Sequence, residues 1–478
     1  MLILLIIYAI LLLAVGAVVA RRVQTADDFL VARRGLGPGL LFTTLLAANI
    51  GAGSTVGAAG LGYTFGLSAW WWVGSAGIGS LILALTVGPR IWRLAKRMNF
   101  YTIGDYLEHR YDRRVRIIIA GVLWVGTLVL LSGQLMAISF ILEAVAGTGK
   151  TVGCLVGGVV VTLYFMAGGL LSSAWVNLVQ LSVMVFGFVI ATPVALGRLG
   201  SWHAITEQID ARLVDAERVA AYLSLTGAGG SWIMRLIILL VPAFIVSPGL
   251  LQKIYGAKET RAVRLGVAAN AVCLLLFAFV PPLIGIMARA HFPHLDHQEL
   301  ALPLVMARLL PPWLGGLALA AVLSAELSTC DAILFMLSTS LSTDLYRTYI
   351  NPRADARGLL RVNRITALLA GGGGVVLALG LPSIIAALTI FYGLLVVSLC
   401  VPLLGGLYST WPGTSSVISA IMSAVGVTLI VHFLTQGRGV GWLAPEAWGI
   451  LVSLVVVVVG TGVQRWRARR GTEASKSR

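Results

Sequence analysis

Hydroxyl side chains recur along the apolar segment 302–342, and three of its positions could together bind a cation. Ala325, Ser328 and Thr329 follow the spacing i, i+3, i+4, so they share one face of a helix. A main-chain carbonyl and two hydroxyl oxygens on that face could complete an oxygen cage for a hard monovalent cation. The competing interpretation is that hydroxyls inside a membrane bond to their own helix or to a neighbour. For an isolated Ser–Thr pair, that competing interpretation is favoured.

The stretch Leu45–Tyr63 is predicted to contain a broken helix and is a second candidate binding site. Five glycines fall between Gly51 and Gly62, and glycine in a helix interior costs roughly 1 kcal/mol relative to alanine. In a membrane, backbone groups freed by a break are tolerated only where protein covers them or where they line a polar cavity. Freed carbonyls can coordinate a cation, and a half-helix N-terminus can face an anion. The alternative is a small-residue face for close helix packing, and this stretch alone favours neither.

A second interruption is predicted where Pro242 and Pro248-Gly249 fall within one apolar span, because proline removes backbone donors. The first break lies in the second predicted span and this one lies in the seventh. Paired interruptions at corresponding positions of two halves indicate an inverted-repeat transporter with its site between the halves. The predicted halves are residues 38–197 and 231–408.

The composition is that of a polytopic all-α membrane protein. The chain has 478 residues, of which 58% are hydrophobic and 11% are charged, and its mean hydropathy is +0.93. About thirteen transmembrane helices are predicted, at about 2–20, 38–62, 69–89, 117–146, 151–168, 173–197, 231–251, 263–289, 302–342, 363–380, 383–408, 413–435 and 446–464. Residues 1–464 then form one transporter domain, with 2–20, 413–435 and 446–464 as extra helices outside the repeats.

The basic residues predict the orientation of the chain. The formal net charge is +16, and 27 of the 35 Lys and Arg residues fall in the segments 21–34, 89–116, 252–264, 347–364 and 465–478. The positive-inside rule places these segments in the cytoplasm, so the N-terminus lies outside and 465–478 is a basic cytoplasmic tail without regular structure. No folded domain carries a clustered basic face, which argues against nucleic-acid binding. The excess of arginine over lysine is typical of GC-rich bacterial genomes, so the expected location is a bacterial plasma membrane.

Four stretches together resemble the sodium:solute symporter family. They are Asp27-Asp-Phe-Leu with Leu-Ala-Ala-Asn-Ile50, Phe100-Tyr-Thr-Ile-Gly-Asp-Tyr-Leu-Glu-His-Arg-Tyr111, Gly168-Gly-Leu with Ala-Trp-Val-Asn-Leu-Val-Gln180, and Leu327-Ser-Thr-Cys-Asp-Ala with Asp-Leu-Tyr346. They occur in the family's order. The resemblance implies a five-plus-five inverted-repeat core of the leucine-transporter type, and uptake of a small organic solute driven by sodium. Sodium, the solute and the lipid bilayer are the expected partners, and no cofactor is expected.

The resemblance also implies a set of sodium ligands. The family's main sodium site maps onto the backbone carbonyls of Ala47 and Ile50 in the first broken helix. Its remaining ligands map onto Ala325, Ser328 and Thr329, which overturns the competing interpretation of the hydroxyl pair. Many members carry an aspartate where this chain has Asn177, a coupling candidate, and its neutral side chain favours one sodium per solute.

The expected solute site lies between the first break, the second core helix and the sixth core helix. The candidate residues are Gly51, Ala52, Gly53, Ser54, Trp71 and Ser247, and Tyr392 could contribute to an outer gate. Two carboxylates flank the hydroxyl pair, and carboxylates inside a membrane are expensive unless paired or functional. Asp331 is the preferred coupling candidate of the two, since Glu326 could face an arginine partner.

Alternatives to sodium symport are also open. Asp331 could carry a proton, which would make the protein a proton-coupled symporter. A transporter-like membrane sensor is a second alternative, although the short tail holds no signalling domain. A membrane enzyme is a third, but no nucleophile–base pair, metal triad or phosphate loop supports it. His291, His294 and His297 beside Asp296 could bind zinc, but Pro293 favours a solvated loop instead.

Overall fold

The computed structural model describes residues 1–20, 34–213 and 216–476, and these ranges are helical apart from short connections. The helices are Leu2–Ala20 (α1), Pro38–Asn49 (α2), Ala58–Phe65 (α3), Trp70–Leu85 (α4), Val87–Met98 (α5), Ile103–Arg110 (α6), Arg113–Ala146 (α7), Lys150–Arg198 (α8), Trp202–Leu213 (α9), Ala216–Tyr222 (α10), Gly230–Val246 (α11), Pro248–Tyr255 (α12), Thr260–Phe277 (α13), Val280–His291 (α14), Ala301–Leu304 (α15), Pro312–Thr339 (α16), Ala356–Gly380 (α17), Ile384–Tyr408 (α18), Thr414–Thr435 (α19) and Pro445–Lys476 (α20). Single π-helical turns or runs occupy Gly53–Gly57, Val305–Leu309 and Ser340–Ile350.

Ten segments of the described chain are helices long and apolar enough to cross a membrane, which confirms the polytopic all-α class. The predicted total of about thirteen spans stays a prediction. Where two spans were predicted at 151–168 and 173–197, the backbone is one unbroken helix of 49 residues, α8. The glycine pair at 168–169 lowers helix stability but does not end the helix. The side chains of residues 167–179 lie outside the described ones.

The first predicted break is confirmed. The helix α2 ends at Asn49, the backbone is extended at Ile50, and the chain resumes with a π-helical turn at Gly53–Gly57 before α3. A mixture of glycines and small hydroxyl residues therefore divides one membrane span into two half-helices. The break leaves backbone groups in the protein interior that need other partners.

The second predicted break is also confirmed, and it falls at Ser247 between α11 and α12. Pro248 is the first residue of α12, where its missing N–H costs nothing. Pro242 lies inside α11 and does not interrupt it. Only the second of the two predicted proline positions therefore breaks the helix.

Short helices lie between the spans, and one region outside the spans is an exception to its predicted structure. The helix α6 begins with a capping box in which the Thr102 hydroxyl accepts from Asp105 N–H and the Asp105 carboxylate accepts from Thr102 N–H. Residues 198–230 contain α9 and α10, with residues 214–215 outside the described part. The exception is the basic tail, because α20 continues to Lys476 where no regular structure was predicted.

The helix α16 lies at the centre of the bundle. It contacts α1, α2, α7, α8 and α17, and its most apolar stretch is 83% buried, the highest value among the ten candidate spans. Tyr8 of α1 hydrogen-bonds Ser324 of α16, so the first helix packs against this central element. Three of the five residues predicted to bind a cation, Ala325, Ser328 and Thr329, are therefore on the most enclosed of the candidate spans in the described chain.

We predict that Gly62→Ala destabilises the protein by about 1–3 kcal/mol, because the added methyl group would overlap the backbone of the neighbouring helix α14. An added Cβ would lie 2.6 Å from Pro282 Cα, where α3 crosses α14. Equilibrium unfolding in mixed micelles of increasing denaturing detergent measures the effect. Gly121→Ala is the matched control, since nothing lies within 4 Å of its added Cβ. Equal stability of the two variants would contradict this packing.

Candidate functional site

The break after α2 leaves two main-chain carbonyls without their helical donors. The N–H of Gly51, which would bond to Ala47 O in a continuous helix, donates instead to Ser54 Oγ at 3.0 Å. The N–H of Ser54, which would bond to Ile50 O, donates instead to Gly51 O at 3.0 Å. The carbonyl oxygens of Ala47 and Ile50 are thus available to other partners.

A glutamine on α7 stabilises the break by accepting a backbone N–H that a continuous helix would use. Gln134 Oε1 accepts the N–H of Ala52 at 2.9 Å, which diverts that donor from Ala48 O. Gln134 is 1% exposed and is the one amide side chain in the predicted span 117–146. Sequence reasoning missed it, although a lone amide in an apolar run was the available signal.

The two freed carbonyls face the hydroxyl pair of α16. Ser328 Oγ donates to Ala47 O at 2.8 Å, and it also lies 3.0 Å from Ala325 O in its own helix. Thr329 Oγ1 lies 3.3 Å from Ile50 O. The five residues implied by the family resemblance are therefore brought together, and each is at most 7% exposed.

This cluster of five oxygens has the chemistry of a small hard cation site. Three carbonyls and two hydroxyls provide oxygen donors without a formal negative charge, which suits a monovalent ion. Without an ion, the two hydroxyl protons satisfy neighbouring carbonyls, and with an ion the hydroxyls can turn their lone pairs toward it. Sodium is close in size to Ca²⁺, whose oxygen ligands lie at about 2.3–2.6 Å. The five oxygens would therefore need to move only slightly apart to make room for a sodium ion.

Gly51 allows the broken segment to approach α16 this closely. A Cβ added at Gly51 would overlap Thr329 Oγ1 and would lie 2.9 Å from Gln134 Oε1. The backbone passes between these two side chains with no room for a methyl group. The identity of this one residue therefore sets the distance between the break and the hydroxyl pair.

The carboxylate of Glu326 bonds to a hydroxyl rather than to the arginine expected from the sequence. Thr55 Oγ1 donates to Glu326 Oε1 at 2.8 Å, and both side chains are fully buried. Thr55 belongs to the π-helical turn after the break. This bond attaches the second half-helix to α16, just as Ser328 attaches the first.

Asp331 lies near a lysine that connects three elements. Lys253 of α12 interacts electrostatically with Asp331 of α16, and its Nζ donates to Thr44 O of α2 at 2.6 Å. The coupling candidate Asp331 thus lies in the electrostatic field of a lysine that belongs to one broken helix and bonds to the other. Asn177, the other coupling candidate, has a side chain outside the described ones, as does the Asp27–Leu30 part of the first family motif.

A cavity of about 60 Å³ lies beside the oxygen cluster, and residues of the break form part of its wall. Of the predicted solute residues, Gly51, Gly53 and Ser54 line it, whereas Ala52, Trp71 and Ser247 do not. Trp71 instead donates its indole N–H to Leu225 O at 2.9 Å, and the neighbouring Trp72 faces the cavity. Consecutive side chains of α4 point about 100° apart, and a run of three tryptophans does not show which of them faces the cavity.

The remaining lining residues are amides, aromatic rings and aliphatic side chains. They are Ala48, Asn49, Val73, Ala76, Leu130, Gln134, Leu240, Phe244, Leu274, Thr329, Leu388 and Tyr392. Asn49 Nδ2 donates to Asn270 Oδ1 at 3.1 Å, which fixes the amide at the cavity wall. Tyr392, predicted for an outer gate, packs against Trp72 and Phe244. None of the lining side chains carries a formal charge.

His291, His294 and His297 do not form part of a metal-binding group among the described residues. In the described part of the chain, no group of three His, Cys, Asp or Glu side chains is arranged to hold a metal ion. His297 stacks near Phe140, and His291 packs on Phe292.

The fold is that of secondary transporters with broken helices. The chain is similar to the structure of a Na⁺-coupled sialic acid symporter in a substrate-bound outward-open state, with a TM-score of 0.78 and 16% identity over 96% of this chain and 97% of that one. It is also similar to Mhp1, a nucleobase-cation-symport-1 family transporter, in a closed conformation, with a TM-score of 0.60 and 14% identity over 94% and 96% of the two chains. These matches confirm the predicted leucine-transporter-type fold.

The family follows from the sequence comparisons. The sodium:solute symporter family model matches residues 29–400, so the chain belongs to that family. The chain is 28% identical to the sodium/pantothenate symporter of Escherichia coli over 95% of its length and 94% of the relative's. It is 24% identical to the sodium/glucose cotransporter of Vibrio parahaemolyticus, over 76% and 72% of the two chains. The function is thus sodium-coupled solute transport across a membrane and not catalysis, as predicted.

We predict that Thr55→Val destabilises the protein by about 1–3 kcal/mol, because it leaves the buried Glu326 carboxyl without its hydroxyl donor. The two side chains have nearly the same shape, so packing changes little. Thr366→Val is the matched control, because Thr366 is equally buried and bonds only to Val362 O in its own helix. Unfolding in denaturing mixed micelles measures both variants, and equal losses would show that the bond to Glu326 does not hold the half-helix.

Proposed function

We propose that this protein imports a small organic solute together with sodium, and that sodium binds to the oxygens of Ala47, Ile50, Ala325, Ser328 and Thr329. One observation carries the proposal: carbonyls freed by the break in the first core helix lie within 2.8–3.3 Å of the hydroxyls of α16. Packing alone requires neither the helix break nor the hydroxyl pair that faces it, since a continuous helix would satisfy the carbonyls at a lower free-energy cost.

Coupling between sodium and solute follows from shared residues. Gly51 and Thr329 line the solute cavity, and both also lie at the sodium site. Sodium would draw the first half-helix onto α16 and so fix the cavity wall formed by the break. By linkage, solute that binds this wall must raise the affinity for sodium by the same factor. Loss of the ion after inward opening would loosen the same wall and release the solute.

The cavity supports a solute with hydrogen-bonding groups on one side and no net positive charge. The amides of Asn49 and Gln134 offer donors and acceptors, while Trp72, Phe244 and Tyr392 offer apolar rings. The lack of a carboxylate in the lining disfavours a cationic solute, because nothing there would replace its lost hydration. Pantothenate, glucose and proline, which the relatives are named for, are therefore reasonable first compounds to test.

The proposed location is a bacterial plasma membrane, with the N-terminus outside and the C-terminus in the cytoplasm. The distribution of Lys and Arg supports this orientation, because each strongly basic connection then lies on the cytoplasmic side. Inward transport in this orientation uses the sodium gradient that bacteria maintain across that membrane.

We predict that Ser328→Ala and Thr329→Ala each weaken sodium binding by roughly 10–100-fold, because each removes one oxygen ligand of a charged group. Scintillation proximity with radioactive sodium on the purified protein measures this without knowledge of the solute. Ser398→Ala is the matched control, because Ser398 is buried but bonds only within α18. Unchanged sodium affinity in both site variants, with normal folding, would reject the sodium assignment.

We predict that proteoliposomes accumulate one class of solute only when an inward sodium gradient is present. A panel of labelled pantothenate, proline, glucose, sialic acid and the cationic amino acid lysine tests this, with potassium replacing sodium as the control. Accumulation driven by a proton gradient alone would contradict sodium coupling and favour the proton-coupled alternative. A cationic solute as the preferred compound would contradict the account of the cavity.

A further inference from the structure

A second and larger cavity lies at a basic end of the bundle, and it shares no lining residue with the cavity beside the oxygen cluster. Its volume is about 450 Å³, and it opens between α5, α6 and the last turn of α18. Its lining residues are Arg90, Arg93, Leu94, Arg97, Tyr106, His109, Arg110, Gly406 and Leu407. Four of these nine side chains are arginines, and none is acidic.

The arginines of α5 are arranged by the helix itself. Arg90, Arg93 and Arg97 follow the spacing i, i+3, i+7, so all three project from one face, while the opposite face buries Ile91 and Trp92. The Arg90 guanidinium lies over the Tyr408 ring at 4.6 Å, which leaves its N–H groups free at the ring's edges. The face is thus an ordered row of cations and not a disordered tail.

The fourth arginine is built into the wall. Arg110 donates to Gly406 O at 3.1 Å and to Ser409 O at 3.0 Å, and it also packs against the Tyr111 ring. These bonds join α6 to the end of α18 and hold the guanidinium at the mouth of the cavity. Its position does not depend on a bound anion.

The nearby carboxylates do not neutralise this cluster. Asp105 and Glu108 of α6 both pair with Arg116, at 3.1 Å and 2.7 Å. In the ranges that the structure describes, no carboxylate lies within salt-bridge distance of Arg90, Arg93, Arg97 or Arg110. Among the described residues, the cavity therefore holds a concentrated positive charge that no carboxylate neutralises.

Exposed aromatic side chains lie at the end of the candidate membrane span that borders the cavity. Tyr408, the last residue of α18, and Trp411 are 48% and 37% exposed, as expected for an aromatic belt at the depth of the lipid headgroups. Leu94 and Leu407 provide apolar surface next to the arginines. An anion that also carries acyl chains could therefore place its charge on the arginines and its chains along the adjoining helices.

We propose that this cavity binds the phosphate of an anionic phospholipid headgroup. Guanidinium groups bind phosphate oxygens in pairs with fixed geometry, and four arginines line this cavity with no carboxylate among its lining residues. Basic pockets beside membrane helices on the cytoplasmic side have the electrostatics needed to retain such a headgroup. Free phosphate shares the recognised group, but only a lipid also uses the apolar wall.

A lipid titration of the purified protein tests the proposal. Phosphatidylglycerol is added to micelles of a neutral detergent, and the melting temperature is followed by intrinsic tryptophan fluorescence. The wild-type protein should be stabilised with a defined half-saturating lipid fraction, and phosphatidylcholine should have no such effect. Arg93→Gln with Arg97→Gln should raise the half-saturating fraction about 100-fold, since hydrogen bonds from one arginine to a bound phosphate contribute about tenfold.

Two further variants separate a specific site from general attraction to anionic lipid. Arg261→Gln with Arg264→Gln removes the same charge from exposed positions outside the cavity and should leave the titration unchanged. Arg93→Lys with Arg97→Lys keeps the charge but loses the paired geometry, and should fall between wild type and the Gln variant. Equal effects of the two Gln pairs would overturn the proposal. An equal shift with inorganic phosphate would assign the cavity to a soluble anion and overturn the lipid assignment.

Discussion

The structure depends on one constraint: a backbone carbonyl cannot be left unpaired in the interior of a membrane protein. The break after α2 frees Ala47 O and Ile50 O, and the fold gives these oxygens the hydroxyls of Ser328 and Thr329. The cost of breaking a membrane helix is thereby offset only while α16 stays close. A cation that binds both sides strengthens the same contact. The central position of α16 in the bundle is what makes this contact available to both half-helices.

Attachment of the broken helix to α16 is divided between its two halves. The first half is held through Ser328, and the second is held through the bond between Thr55 and Glu326. A third interaction involves Thr44 in the first half. Its carbonyl accepts a hydrogen bond from Lys253, which also interacts electrostatically with Asp331 of α16. The solute cavity lies between these attachments, so movement of either half against α16 must change its walls. This geometry favours alternating access in which the ion controls when the break is ordered.

The sequence predicts the breaks and the membrane class, because each leaves a local signal. The five positions of the proposed cation site come from the family resemblance, since the hydroxyl spacing alone favours bonding within the helix. Glycine content and proline position mark the breaks, and the hydroxyl spacing marks one face of α16. The solute cavity is predicted less well, because its walls depend on the rotation of helices and on side chains far apart in sequence. Trp72 rather than Trp71 faces the cavity, and Gln134 reaches the break from another span. The continuous helix α8 differs from the predicted pair of spans because the glycines at 168–169 weaken a helix without ending it.

The central claim is that sodium orders the break by holding it against α16. Hydrogen–deuterium exchange of the purified protein, read over residues 47–57 with sodium and with potassium, measures this ordering directly. The account predicts that sodium slows exchange of these amides, and that the slowing is lost when Ser328 and Thr329 are both alanine. Exchange over 47–57 that is the same in sodium and in potassium would contradict the account.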